Sequence, residues 1–358
     1  MGFLAKEYGG LVKKRFFFIF LLTITLLLLT TVSVCVGTVN ISLSEIVKAL
    51  LFPLFPGKFR VSSYVVNVVW NIRLPRIVMA ILTGACFGVA GCILQVILRN
   101  PLASPYTIGV ASSAAFGAAL AIVLGAGITG WWGHVLVYKN TYLIVANAFA
   151  MSMLCSLAIM ALSFYRGASP GTTVLAGIAM TYVFSALTSL LQYFGTTEQV
   201  AAIVFWTFGN LGKAEWFDAA LTLLAISALF PVVYVFSSDY NAILAGDEVA
   251  MSLGVNVKVL RIASLAIASL LTAVPVSFVG TIGFIGLLAP HIARMSIGSD
   301  HRFLLPSSIL TGSILLLIAD TIARVIVSPL ILPVGIVTAF MGVPLFLYLL
   351  LTRGERYW

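Results

Sequence analysis

The chain has 358 residues, of which 61% are hydrophobic and only 9% are charged. Soluble globular domains contain about 45–50% apolar residues, so this composition excludes a soluble protein and indicates an integral membrane protein. The formal net charge of +9 would suggest nucleic-acid binding in a soluble chain. Here it fits topogenic lysines and arginines and contact with anionic membrane lipid, and no nucleic-acid partner is expected.

About ten stretches of the chain are predicted to cross a membrane, since crossing takes about 20 apolar residues. In chain order they are residues 16–36, 77–98, 106–127, 142–164, 172–194, 216–236, 258–278, 281–296, 303–325 and 332–351. The seventh and eighth share one uncharged run, which we expect to turn at Pro275 and Gly280. No stretch alternates like a barrel strand, and the many glycines predict closely packed helices.

The predicted fold class is all-α: a polytopic membrane helical bundle of about ten transmembrane helices, with residues 1–358 forming a single domain. An even number of spans leaves both termini on one side of the membrane. Placing them in the cytoplasm puts the majority of the 20 Lys and Arg residues on that side, as the positive-inside rule requires. Trp131 and Trp132 then lie in an outer loop, where they suit an interfacial belt.

A polar segment, residues 237–257, lies between the sixth and seventh predicted spans. It contains Asp239, Asp247 and Glu248. Each charge would cost roughly 2.5 kcal/mol or more in hydrocarbon, so the segment must face water. On the predicted topology that water is the cytoplasm.

Helix start and stop signals in this segment predict two short helices joined at a sharp corner. Asn241 is expected to cap the first helix, which Gly246 ends, and Asp247 is expected to cap the second. Gly254 suits the left-handed position that closes the second helix, and Asn256 can cap the seventh span. Acidic helix starts and exposed Leu and Val side chains indicate a compact knob for docking a protein partner. An ordinary interhelical loop is the alternative.

The sequence predicts no catalytic residue, metal site or cofactor site. It contains no GxxxxGK[ST] phosphate loop, no HExxH motif and no Cys/His cluster. A membrane enzyme that uses His291 or His301 would have no visible catalytic partner. An ion-coupled secondary transporter or channel would need ionisable residues within the spans, and these are nearly absent.

Two pairs of charges at the predicted outer surface have alternative interpretations. Asp320 and Arg324 are spaced i, i+4, which predicts a local ion pair or an arginine presented to something outside. Arg73 and Arg76 flank Pro75 at the expected start of a helix, where positive charges oppose the helix dipole. These arginines are predicted to contact lipid phosphate or a carboxylate of a docking partner.

Two predicted connections lie on the cytoplasmic face. Residues 100–105, NPLASP, contain two prolines that block helix formation on both sides, which favours a tight turn. Residues 166–173, RGASPGTT, form a loop of small residues. Either segment could border a pore exit, and for the second the alternatives stay open.

Five segments in order resemble the FecCD permeases, the membrane subunits of type II ABC importers for iron-siderophores, haem and vitamin B12. They are residues 73–105, with RLPR and NPLASP; 244–255, LAGDEVAMSLGV; 283–302, with GFIGLLAPHIAR and SDHR; 319–324, ADTIAR; and 333–344, PVGIVTAFMGVP. The resemblance extends from about residue 70 to the end of the chain. It is specific because the motifs recur in order and at matching spacings.

The resemblance implies a permease of the cytoplasmic membrane that pairs as a homodimer, with the translocation path at the subunit interface. Two copies of an ABC ATPase subunit would bind ATP and dock on the coupling segments, so this chain would catalyse no reaction and need no cofactor. The implied ATPase-coupling residues are Leu244, Ala245, Gly246, Asp247, Glu248, Ala250, Leu253 and Gly254. An extracytoplasmic substrate-binding protein would dock on Arg73, Arg76 and Arg324.

The family's substrates make an iron(III)-siderophore complex the first expectation, because such permeases are the most frequent. Cobalamin and haem are the alternatives, and molybdate follows. The mechanism implied is alternating access: ATP binding closes the ATPase dimer, moves the knobs and reorients the permease halves. A large solute would then pass through a cavity lined with few charges.

Overall fold

The computed structural model describes residues 2–37, 39, 41–53, 55, 60–125 and 141–353. Trp131 and Trp132, the tryptophans predicted to lie in an interfacial belt, fall outside these residues. Helices are the only regular secondary structure in the described part of the chain, which confirms the predicted all-α class.

The helices are connected by short segments in the described part of the chain. The first eight are α1 Gly2–Cys35, α2 Leu43–Leu51, α3 Ser63–Asn67, α4 Leu74–Ile97, α5 Val110–Leu124, α6 Thr141–Tyr165, α7 Pro170–Phe194 and α8 Thr197–Thr207. The others are α9 Trp216–Val235, α10 Ser237–Ala245, α11 Asp247–Ser252, α12 Val257–Val279, α13 Ile285–Ile297, α14 His301–Val325 and α15 Val334–Arg353. A π-helical turn, Val68–Arg73, joins α3 directly to α4.

Seven helices within the described residues are long and apolar enough to cross a membrane. They are Gly9–Cys35, the continuous helix Ser63–Ile97, Thr141–Tyr165, Pro170–Phe194, Trp216–Val235, Val257–Val279 and His301–Val325. Shorter apolar helices, Val110–Leu124, Ile285–Ile297 and Val334–Tyr348, coincide with the third, eighth and tenth predicted spans. The helical membrane bundle is thereby confirmed, and the total of about ten spans stays a prediction.

The centre of the bundle is α4, in which every residue from Thr83 to Ile97 is buried. Helices α9, α12, α13 and α14 pack around it. The closest approach uses glycine: a Cβ on Gly84 would lie 2.3 Å from the carbonyl oxygen of Gly312, and one on Gly88 would lie 2.1 Å from that of Ser308. Small residues let membrane helices approach this closely, as the glycine-rich spans predicted.

The periphery of the bundle carries large apolar side chains. Phe17 of α1, Leu157 of α6 and Tyr182 of α7 are 66%, 62% and 73% exposed. An apolar surface of this extent suits contact with lipid or with another membrane chain rather than with water. The polar residues that sequence analysis selected lie elsewhere, at the ends of the helices.

Two features of the fold differ from the sequence prediction. Helix α12 continues through Pro275 to Val279, and only Gly280, with φ +75°, ends it. A proline is tolerated inside a membrane helix when neighbouring groups satisfy the carbonyl that it frees. Hydropathy also missed α8, which is too short to span a bilayer. The capping box of Thr196 and Gln199 that starts α8 is the sequence signal that could have found it.

Replacing Gly88 with alanine is expected to lower the thermal stability of the purified chain. The new Cβ would lie 2.1 Å from the Ser308 carbonyl oxygen, so α4 and α14 must separate, and overpacking of this kind costs about 1–3 kcal/mol. The measurement is thermal unfolding in detergent. Gly171→Ala is the matched control, because a Cβ there meets no atom within 4 Å. Equal unfolding midpoints for the two variants would contradict the close helix contact.

Candidate functional site

The residues selected from the sequence fall at two opposite ends of the bundle. Helix α14 begins at His301, beside α10, and reaches Arg324 about 35 Å further on, at 1.5 Å of rise per residue. We call α10, α11 and the turns that follow them, residues 237–254, the knob. The other end, with Arg73, Arg76 and Arg324, is called the arginine end.

The knob has the two-helix shape that its glycines predicted. Gly246, with φ +127°, separates α10 from α11, and Gly254, with φ +87°, closes α11 in the left-handed region. The backbone N–H of Val255 donates to Ala250 O at 3.0 Å, which completes the helix C-terminus. Asn256 caps α12 by accepting a hydrogen bond from the N–H of Val259, as expected.

Two predicted caps in the knob are wrong. Helix α10 begins at Ser237, so Asn241 lies inside it, and its side chain serves α14 instead. It donates to Asp300 Oδ1 at 3.0 Å and accepts from the backbone N–H of His301 at 2.9 Å. Asp247 is the first residue of α11 and follows the cap residue Gly246. Neither side chain caps its own helix; both bond to other parts of the chain.

The exposed side of the knob carries several large apolar side chains. Leu244, Val249, Met251 and Leu253 are 37%, 44%, 57% and 69% exposed, whereas Ala250 is fully buried. Glu248 is exposed beside these side chains. Four large apolar side chains on one short helical corner form a patch suited to a protein partner. We call Leu244, Val249, Met251 and Leu253 the knob surface.

Asp247 connects the knob to the bundle rather than to solvent. Its Oδ1 accepts from Arg99 Nη2 at 2.7 Å and from Arg261 Nη2 at 2.8 Å. The side chain of Arg261 is 9% exposed, and that of Arg99 is 40% exposed. The carboxylate is therefore already engaged within the chain, and the expectation of an acidic helix start free for a partner holds only for Glu248.

Asp300, the cap of α14, anchors the knob a second time. It accepts from Arg15 Nη1 at 3.0 Å and from Arg302 Nη2 at 2.7 Å, in addition to the bond from Asn241. Burial raises the pKa of Asp300, but the hydrogen bonds from Arg302 and Asn241 outweigh it and lower that pKa to about 2. The carboxylate stays ionised at neutral pH, and the first half of α1 is held at the knob end.

At the arginine end, two guanidinium groups cover the C-terminus of α1. Arg73 Nη1 donates to Val34 O at 2.6 Å and to Cys35 O at 3.1 Å. Arg324 Nη1 donates to Val36 O at 2.7 Å. The last carbonyls of a helix have no partner within the helix, and cations are favourable at this end of the dipole. These arginines therefore stabilise the end of α1, a role that the sequence did not predict.

Asp320 joins the other charges of the arginine end. Its Oδ1 accepts from Arg76 Nε at 2.7 Å and its Oδ2 accepts from Arg324 Nε at 3.1 Å. The predicted i, i+4 ion pair is confirmed. The expectation that Arg324 is presented outside is wrong, because its side chain is 5% exposed under the end of α1. Nor do Arg73 and Arg76 stand at a free helix start, since the π-helical turn makes the helix continuous from Ser63 to Ile97.

A cavity of ≈ 590 Å³ lies between the end of α8, the connection from α12 to α13, and α15. Its lining has no charged side chain and includes Tyr106, Phe208, Thr281, Phe284, Ile336 and Phe340. Phe284 has φ +65°, a strained conformation for an aromatic residue, and its ring fills the space that a side chain on Gly342 would need. Sequence analysis expected a cavity lined with few charges but assigned no residue to it.

Residues 25–352 match the FecCD transport family. The chain belongs to this family. The match covers most of the chain and confirms the resemblance drawn from the sequence motifs.

Relatives within the FecCD family are permeases. A protein of Methanocaldococcus jannaschii, provisionally named an ABC transporter permease, is 44% identical over 99% of both chains. A cobalamin import system permease of Halobacterium salinarum is 38% identical over 84% of this chain and 78% of its own. A hemin transport system permease of Yersinia pestis is 37% identical over 80% of this chain and 84% of its own.

A solved structure has the same fold as this FecCD chain. It is an inward-facing conformation of a transporter assigned provisionally to the metal-chelate type of ABC transporter. The two chains align with a TM-score of 0.80 at 30% identity, over 93% of this chain and 98% of that chain.

Replacing Asp320 with asparagine is expected to destabilise the chain strongly. The change keeps the shape but leaves Arg76 and Arg324 buried without their carboxylate, and removing one partner of a buried ion pair costs about 3–5 kcal/mol. The measurement is thermal unfolding in detergent, together with the monodisperse fraction on gel filtration. Glu248→Gln is the control, because it removes an exposed carboxylate. An unfolding midpoint like that of the control would show that Asp320 does not hold the arginine end.

Proposed function

We propose that the chain is the membrane-spanning permease subunit of an ABC importer that translocates a metal chelate, with ATP hydrolysed by a separate subunit. The observation that carries the proposal is the knob: a folded corner that exposes several large apolar side chains, in a chain of the FecCD family. The relatives named for cobalamin and hemin import support the substrate class. The chain then has no enzymatic role of its own and needs no cofactor.

The knob surface is the proposed seat of the ATPase. Two copies of the chain would pair as a homodimer and carry two ATPase subunits, one on each knob. The proposed topology has about ten spans, with the knob and both termini in the cytoplasm of a multi-pass protein of the cell membrane. The bond from Arg15 to Asp300 supports a common side for the knob and the start of α1.

The arginine end is the proposed docking site for an extracytoplasmic substrate-binding protein. Arg73 and Arg324 already donate to the carbonyls of α1, so their role is to hold the surface that the partner meets. Arg76 is as buried as Arg324, with a side chain that is 6% exposed, so it too supports this surface from beneath. Its Nε bonds to Asp320, while its Nη2 has no hydrogen-bond partner among the described residues.

The proposed substrate is an iron(III)-siderophore complex, with cobalamin or haem as the alternative. The uncharged cavity beside α15 suits a large solute that presents a weakly polar surface. Alternating access would open this cavity to each side in turn. An ion-coupled secondary transporter is less well supported, because Asp320, the carboxylate within α14, is already paired with two arginines.

Replacing Leu253 with aspartate is expected to abolish copurification of the ATPase subunit. Leu253 is 69% exposed at the knob surface, and a charge at the centre of an apolar contact must be desolvated without a partner. The measurement is the ratio of ATPase to tagged chain after affinity purification from the native host. Leu43→Asp is the matched control, because Leu43 is 63% exposed but lies on α2, outside the knob. Equal loss or equal retention in both variants would contradict the docking assignment.

Reconstitution tests the transport function itself. Vesicles that contain the chain, its ATPase and its binding protein are expected to take up a radiolabelled ferric siderophore only with ATP and only with the binding protein present. Unlabelled cobalamin and haem are competitors that rank the alternatives. Uptake that follows an imposed proton or sodium gradient without ATP would contradict the importer proposal.

A further inference from the structure

One of the contacts between the knob and the rest of the bundle is made by Arg261 of α12, which is 7% exposed. Its guanidinium donates in three directions: Nη2 to Asp247 Oδ1 at 2.8 Å, Nε to Ile97 O at 3.0 Å, and Nη1 to Ala168 O at 3.4 Å. One planar group therefore bonds to three separate parts of the chain. Arginine is suited to this because its donors form a rigid fork.

Two partners of Arg261 lie at helix ends, and the third lies in a connection between helices. Asp247 starts α11 in the knob, and Ile97 is the last residue of the central helix α4. Ala168 belongs to the connection between α6 and α7, residues 166–169; it is 1% exposed and has φ +57°. A left-handed conformation costs a residue with a side chain roughly 1–2 kcal/mol. The contact with Arg261 is thus made to a buried and strained residue of the connection.

A second arginine, Arg99, also bonds to the knob, but its side chain is more exposed to solvent than that of Arg261. Arg99 Nη2 donates to Asp247 Oδ1 at 2.7 Å and to Ile243 O at 3.2 Å, from a side chain that is 40% exposed. Water can replace the bonds of Arg99 when the knob moves. Water cannot do so as readily for Arg261, whose buried charge depends on the carboxylate of Asp247.

We propose that Arg261 transmits movement of the knob to the connection between α6 and α7, as a positioning residue for transport. The inference rests on the proposed function, in which an ATPase moves the knob. When Asp247 is displaced, Arg261 must follow it or remain buried without a counter-charge. The bond to Ala168 O then carries the displacement to the start of α7, and the bond to Ile97 O makes α4 the fixed reference.

Arg261→Lys tests this transmission in the complete complex of chain, ATPase and binding protein. Lysine keeps the charge but lacks the fork that reaches all three acceptors. We expect ATPase binding and ATP hydrolysis to persist, while the solute translocated per ATP falls about tenfold, a factor within the usual range for coupling between sites. Arg166→Lys is the matched control, because Arg166 is an exposed arginine of the same connection.

Distances between spin labels distinguish transmission by Arg261 from a purely structural role of this residue. Labels on Ser252→Cys and Ser296→Cys report the knob against α13, and labels on Arg166→Cys and Ser296→Cys report the connection; all three positions are exposed. In the otherwise native chain, trapping the ATPase with a nucleotide analogue is expected to change both distances. In Arg261→Lys we expect the knob distance to change and the connection distance to stay constant.

Each outcome decides between the proposals. Unchanged solute per ATP in Arg261→Lys, or a connection that still moves with the knob, would overturn the transmission role. Loss of ATPase binding would also overturn it and assign Arg261 to folding of the knob. If the native complex itself binds no ATPase and neither distance responds to nucleotide, the proposed function fails.

A double-mutant cycle covers the case in which Arg261→Lys unfolds. The variants are Asp247→Asn, Arg261→Gln and the two combined, which replace the ion pair by neutral amides. If the pair acts as one unit, the combined variant loses no more solute per ATP than Arg261→Gln alone. Independent, multiplying losses would overturn the inference.

Discussion

The bundle depends on arginines that bond to carbonyl groups at the ends of helices. The last carbonyls of a helix have no partner within it, and any that lie at the depth of the bilayer core have no water to bond to. Five arginines supply the missing donors at or just before helix C-termini: Arg73 and Arg324 at α1, Arg99 at α10, Arg261 at α4 and Arg15 at α13. Each also places its charge where the helix dipole favours a cation.

The centre of the bundle and its outer helix α1 are therefore held by different interactions. Glycines bring α4 and α14 into backbone contact, which fixes the centre through packing alone. Helix α1 has an exposed apolar surface, and arginines hold it at both ends: Arg15 bonds to Asp300, and Arg324 bonds to Val36 O. Such charged ends specify where a helix docks, which apolar packing in lipid does weakly.

Local features of the knob could be predicted from the sequence, and those that depend on distant partners could not. Gly246, Gly254 and Asn256 act through their own backbone or a neighbour three residues away, so their residue types were sufficient. Asn241 bonds to Asp300 and His301, 59 and 60 residues further along the chain. Capping rules consider only neighbours along the chain, so they could not predict these bonds. The cap predicted for Asp247 is wrong for the same reason.

At the arginine end, too, the sequence predicted the position of a residue but not its partners. Helical rise placed Arg324 correctly at the far end of α14, but rise along one helix cannot reveal that the end of α1 covers it. A charge at a helix end therefore does not identify a surface. The order of the motifs identified the family because the motifs are spread over most of the chain. The role of each arginine could not be predicted, because it depends on residues that are distant in sequence and close in the folded chain. The charged residues that hold the two ends are absent from the lining of the cavity beside α15, which contains no charged side chain.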